Sequence, residues 1–231
     1  MNRLLSLIIC LSSCAPDPWQ IPGPSSAVSR DQAIATAYLY SQVSWTPEER
    51  HVRHSADQQG ILVHTPDLTL NERGFANGWW SPGEPAIGMP YQWGGFDTPR
   101  QFLTSIANGE AAGDISTAEK RRIGDGGTSR EACGIDCSGF VSRCWRLSKP
   151  HSTKELPSIC KPLKTWIQLQ PGDILLNDKH VLLFKGWDGT ERVLAYEAGP
   201  FPVWRVNSAS IPVSKLLREG YRPWRYQGIR D

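Results

Sequence analysis

Residues 134–147 read GIDCSGFVSRCWRL, and their order describes a helix with a nucleophile at its start. Asp136 is a good N-cap, because its carboxylate can accept an amide one turn in, near Ser138 or Gly139. Cys137 is then the first helical residue. Phe140, Val141, Cys144 and Leu147 follow at helical spacing, so one face is buried and the start of the helix is held firmly. A thiol placed there meets unpaired amides and the positive end of the helix dipole, both of which favour the thiolate. Asp136 opposes them with its negative charge, so activation needs a positive partner, and a histidine is the residue to seek. Gly139 costs helix stability, which marks a place where something comes close. Without further signals, a cysteine here is ordinary core filling.

Working outward, two more blocks stand out. Tyr91–Gly95 is YQWGG, and Pro171–Phe184 is PGDILLNDKHVLLF. In that order, with DCSGFV, the three blocks resemble the NlpC-type family of bacterial cell-wall peptidases, which are papain-like cysteine hydrolases. The likeness runs from about Tyr91 to the end and does not cover what precedes it. It implies an α+β fold of papain-like type, with the nucleophile at the N-terminus of a helix packed on a mainly antiparallel sheet. Carried over residue by residue, it implies Cys137 as nucleophile and His180 as acid and base, with Glu197 where the family has a third polar residue that is often a histidine. A carboxylate is chemically sound there, since it can fix the imidazole tautomer and stabilise the imidazolium. Tyr91 is implied to orient the thiol or meet the oxyanion beside the Cys137 amide, and Asp136 to bind the free amine of a peptide stem. Ser138 and Trp93 are grouped with Asp136 as substrate-binding residues.

The implied reaction is hydrolysis of peptidoglycan peptide stems through a thioester, with the bond between D-glutamate and the diamino acid as the expected target. A related amidase or acyltransferase shares the same chemistry, and a non-catalytic wall-binding lipoprotein would keep only the fold.

The 231 residues can bury one good core, and the net charge of +2 comes without a basic block, so an electrostatic case for nucleic acid is absent. Ten tryptophans are unusual; most suit a core, while Trp79, Trp80 and Trp93 gather near the proposed site. Arg3, the apolar run Leu4–Leu11 and the small residues Ser12 and Ser13 read as an export signal over residues 1–14. LSSC, ending at Cys14, resembles the lipoprotein cleavage box, whose cysteine becomes the lipidated first residue. Location in the cell envelope, with a lipid-anchored N-terminus and peptide stems as partner, is therefore expected, and the chain is expected to act as a monomer.

Cys10 would leave with the signal, and Cys133, Cys144 and Cys160 remain beside Cys14 and Cys137. Export permits a disulfide among those three, but spacing chooses no pairing. His51 and His54 have no second ligand pair at a familiar zinc spacing, so no metal is expected, and the chemistry needs no cofactor.

Elsewhere the chain is read more coarsely. Residues 15–28, rich in proline, glycine and serine, are expected to be a flexible tether, with a single catalytic domain over 29–231 that carries an N-terminal helical extension. Ser29 and Gln32 form a capping box for a helix to about Gln42, Thr46 and Pro47 open a helical turn, and Ile61–His64 reads as a strand. Asn77–Gly95 is expected to be a long loop, and Pro99–Asn108 a helix begun by Thr98 and stopped by Gly109. The polar segment between Gly109 and Arg130 exceeds what the family usually has there, and it could rim the cleft. Strands are expected at Ile174–Leu176, Val181–Phe184, Arg192–Glu197, Val203–Asn207 and Tyr221–Gln227, with a short helix near Val213–Glu219.

Overall fold

Alternating apolar side chains build the sheet that carries the fold, in a computed structural model that describes residues 17–199 and 202–231. Six antiparallel strands make it: β1 (Cys160–Pro162), β2 (Ile174–Leu176), β3 (Val181–Asp188), β4 (Arg192–Ala198), β5 (Val206–Pro212) and β6 (Arg222–Tyr226), in the order β5-β4-β3-β2-β6-β1. On β3, Val181 and Leu183 face the main core while Leu182 and Phe184 face a second apolar cluster. On β2, Ile174 and Leu176 face the first and Leu175 the second. Both faces are therefore covered, as the near-continuous apolar runs of β2 and β3 require.

Among the described residues, five α-helices accompany the sheet: α1 (Arg30–Ser41), α2 (Pro99–Asn108), α3 (Ala118–Ile123), α4 (Cys137–Cys144) and α5 (Val213–Arg218). The fold is thus α+β. The Ser29 hydroxyl accepts the Gln32 amide at 3.1 Å and the Gln32 side chain accepts the Ser29 amide, which starts α1 as expected. Thr98 caps α2 in the same way, and Gly109 ends it in the left-handed conformation. α1 and α4 pack together on the main-core face, with the Tyr40 and Phe140 rings edge to face at 5.7 Å. α5 brings Leu216 to the other face.

Three expectations need correcting. The supposed tether, from residue 17 onward, is docked rather than extended. Ile21 and Val28 are buried, Val28 and Ser29 pair in parallel with Ile229 and Arg230, and the Ser25 amide donates to Arg146 O at 2.9 Å. Burial of those two side chains and the closing backbone bonds hold a segment whose composition alone says loop. The strand expected at Val203–Asn207 is displaced to Val206–Pro212, because Trp204 adopts a φ of 52°, which no strand residue can share. In the segment after Gly109, α3 forms, capped by Thr117, with Lys120 buried on it. The helical turn read at Thr46 and Pro47 lies slightly later, at Glu49–His51. The export signal, Cys14 and residues 15 and 16 lie outside the described residues. No helix among the described residues is long and apolar enough to cross a membrane.

Candidate active site

Asp136 begins α4 as its sequence implied: Oδ1 accepts the Gly139 amide at 2.5 Å and the Ser138 hydroxyl at 2.9 Å. Burial pushes its carboxyl up, and those hydrogen bonds work against the rise. Cys137 follows, only 6% exposed, with its amide in the first turn where the helix ladder leaves amides free.

The close approach that Gly139 marks is made by protein backbone. A Cβ there would lie 2.3 Å from Gly95 O, which also accepts the Asp136 amide at 3.1 Å. YQWGG therefore lies directly against the start of α4. Gln92 extends that clamp, its side-chain amide donating to Ser129 O at 3.1 Å and Ala132 O at 2.8 Å.

His180 enters from the β2–β3 hairpin. The Asn177 side chain accepts the amides of Lys179 and His180, at 2.9 and 2.8 Å, and so fixes the backbone on which the imidazole sits. Glu197 belongs to the neighbouring strand. Leu183 pairs with Tyr196, and continuing that register puts Glu197 across from Leu182, on the same face as His180 and diagonal to it. His180 Nε2 donates to Glu197 Oε2 at 2.7 Å. The other ring nitrogen, Nδ1, is buried and makes no hydrogen bond, and Cys137 lies near enough to act on the ring. An open contact of this kind is common before substrate arrives. Burial disfavours the imidazolium, but the charge and hydrogen-bonding capacity of Cys137, reinforced by Glu197, outweigh it and push His180 up to about 10. At neutral pH the ring is therefore the positive partner that a cysteine beside Asp136 requires.

Tyr91 is buried next to Cys137 and against Trp204, ring centroids 5.5 Å apart. Burial first, then the nearby Cys137 and Asp136, raise its hydroxyl well above the usual phenol range, with Ser116 as a hydrogen-bonding partner opposing them. Trp204 O accepts both the Tyr91 amide and the Trp79 indole at 2.9 Å, so the unusual Trp204 backbone holds the tyrosine in place. Tyr221 sets its ring edge to face with His180 at 6.5 Å and is raised by burial and by Glu197. Sequence reading missed Trp204 and Tyr221 as parts of the site. Nothing local distinguishes them from the other aromatics, and only the strand register brings Tyr221 to the histidine.

Two open cavities adjoin the pair. Asp136 and Ser138 open onto one of about 810 Å³, whose wall includes Gly94, Thr128, Arg130 and Glu155. His180 and Glu197 open onto another of about 710 Å³, with Asn207 and Tyr221 in its wall. Trp93 is not brought to either: it is half-buried, and its indole donates to Gly124 O at 3.2 Å. Trp79 and Trp80 pack edge to face with Trp45 instead. The segment after Gly109 does reach the first cavity, through Gly126, Thr128 and Arg130. Cys133, Cys144 and Cys160 are buried free thiols. His51 has both ring nitrogens engaged, Nδ1 accepting the Glu48 amide at 2.8 Å and Nε2 bonded to Ile106 O at 2.9 Å.

Compared with protein-family models, curated proteins and solved structures, the chain matches none.

Proposed function

We propose that this chain is a papain-like cysteine hydrolase of the bacterial cell envelope, lipid-anchored through Cys14, that cuts peptidoglycan stems between D-glutamate and the diamino acid. One observation carries the catalytic part: buried His180 holds Glu197 through one ring nitrogen, keeps the other free of hydrogen bonds, and lies within electrostatic reach of Cys137 at a helix N-terminus. The choice of substrate rests on the likeness of DCSGFV, YQWGG and the His180 hairpin to the cell-wall peptidases.

In this reading Cys137 Sγ attacks the amide carbonyl and forms a C–S bond, with the oxygen's charge met by the Cys137 amide and the Tyr91 hydroxyl. His180, already protonated, gives its proton to the leaving amine as the C–N bond breaks. Neutral His180 then takes a proton from water, which attacks the thioester; the C–S bond breaks, the acid leaves, and the Cys137 thiolate and protonated His180 are restored. Glu197 keeps Nε2 protonated and the ring aimed throughout, as the carboxylate does in other triads. Donors to an oxyanion are worth about 2.7 to 4 kcal/mol each, so Tyr91 contributes on that scale.

The test is mass spectrometry of defined muropeptides incubated with a soluble form that begins after Cys14 and keeps the docked segment from Asp17, beside Cys137→Ala. New termini at the D-glutamyl bond, lost in the variant, are the expected result. Intact stems after prolonged incubation with folded protein would overturn the reading.

A further inference from the structure

Arg130 is the cation of the cavity that opens beside Cys137. It is exposed, lines the same wall as Asp136 and Ser138, and has no carboxylate within ion-pair distance among the described residues. Its neighbours explain why it stands alone. Glu131, next in the chain, is already paired with Arg53 at 2.5 Å and accepts the Gln58 amide at 2.9 Å. Glu155 lines the same cavity but is turned to the amide and hydroxyl of Ser152, 2.8 Å each, which hold its carboxyl below the usual range.

The root of Arg130 is also fixed. Ser129 before it is buried, with its hydroxyl donating to Asp57 at 2.7 Å and accepting the Glu131 amide at 3.1 Å. Ser129 O is gripped by Gln92 of YQWGG, and Thr128 packs so closely on Gly94 that a Cβ there would lie 2.0 Å from its hydroxyl. The guanidinium is thus carried by a backbone tied to the loop that abuts the nucleophile helix. A planar cation with unused donors, anchored in this way and facing a cavity shared with the nucleophile's neighbours, fits a carboxylate.

We infer that Arg130 is the receptor for a free carboxylate on the acyl side of the scissile bond. This rests on the hydrolase reading and narrows its substrate class: a γ-linked glutamyl residue leaves its α-carboxylate free, and that group distinguishes the favoured stem from one carrying a carboxamide there.

The experiment compares two synthetic stem peptides, identical except for α-carboxylate or α-carboxamide on the γ-linked residue, with the wild type, Arg130→Gln and Arg130→Lys. Wild type should favour the carboxylate by about tenfold in kcat/KM, the scale of a charge-assisted pair. Arg130→Gln should bring the two within about twofold, through a raised KM for the carboxylate, and Arg130→Lys should lie between. Binding of the same peptides to Cys137→Ala separates this inference from the reaction. Tighter binding of the carboxylate by Cys137→Ala, without cleavage of either peptide by wild type, would overturn the hydrolase reading and keep Arg130's role. Equal cleavage and equal binding of the two peptides would overturn the role itself.

Discussion

Among the described residues two histidines hydrogen-bond a carboxylate, His64 standing only within ion-pair reach of Glu72 at 3.5 Å, and the surroundings of those two differ. His180 bonds Glu197 at 2.7 Å, and His54 bonds Asp67 at 2.9 Å. Around Asp67 every partner is a hydrogen-bond donor that ties loop to strand: Thr65 Oγ1 at 2.6 Å, and the Thr69 amide and hydroxyl at 2.8 and 2.5 Å. His54 stands beside His64 across a two-stranded ladder, ring centroids 5.8 Å apart. His180 has its backbone pinned by Asn177, a tyrosine edge against its ring, one nitrogen free of hydrogen bonds, and a cysteine within electrostatic reach. A histidine–carboxylate pair is a stabilising link by default, and the proposed chemistry of the His180 pair rests on the cysteine beside that ring.

Removing each carboxylate in turn should break the comparison most sharply. Glu197→Gln should cost about 10²- to 10⁴-fold in kcat, since the imidazole loses its orienting acceptor, while the protein remains folded. Asp67→Asn should leave kcat within about twofold and instead lower stability by about 1–3 kcal/mol, because four donors lose a charged acceptor. Steady-state rates and denaturant midpoints measured on both variants decide between these outcomes. Equal losses of activity would erase the distinction.

The pH profile gives a finer test. His180 is raised from 6.5 to about 10, so its stabilising contribution is fully present below about 6.5 and is lost as pH rises through about 10. The general-acid limb of kcat should therefore fall on the alkaline side, toward 10. Glu197→Gln should move that limb to lower pH, because one of the groups favouring the imidazolium is gone, and Asp67→Asn should leave it in place. A limb near 6.5 that ignores both substitutions would contradict the assignment.

Much of this site is local in origin, which is why it could be read from sequence. Asp136 caps a helix because of what lies one to three residues ahead, Asn177 pins His180 from three residues away, and Gly109 stops α2 by its own conformation. Glu197 comes from the resemblance, through its order after the His180 strand. What could not be read is set by distant partners. Lys120 lies in AEKRRI, with no apolar stripe, and is buried because Asp114 waits for it at 2.6 Å beneath the YQWGG loop. Ile21 and Val28 belong to a segment whose composition says loop, and the surface they dock on is supplied by Arg146 and Ile229. Trp93 seemed placed for substrate by its neighbours in sequence, yet its indole turns to Gly124.

The most direct test of the Cys137–His180–Glu197 unit needs no substrate. Iodoacetamide at neutral pH, followed by peptide mass mapping, reads which of the four described cysteines reacts and how fast. One adduct per chain is expected at Cys137, at least about tenfold faster than at Cys133, Cys144 or Cys160 and slowed in His180→Ala, since only Cys137 has a helix N-terminus and an imidazolium beside it. Labelling of Cys137 no faster than in the unfolded chain, or unaffected by His180→Ala, would contradict the account.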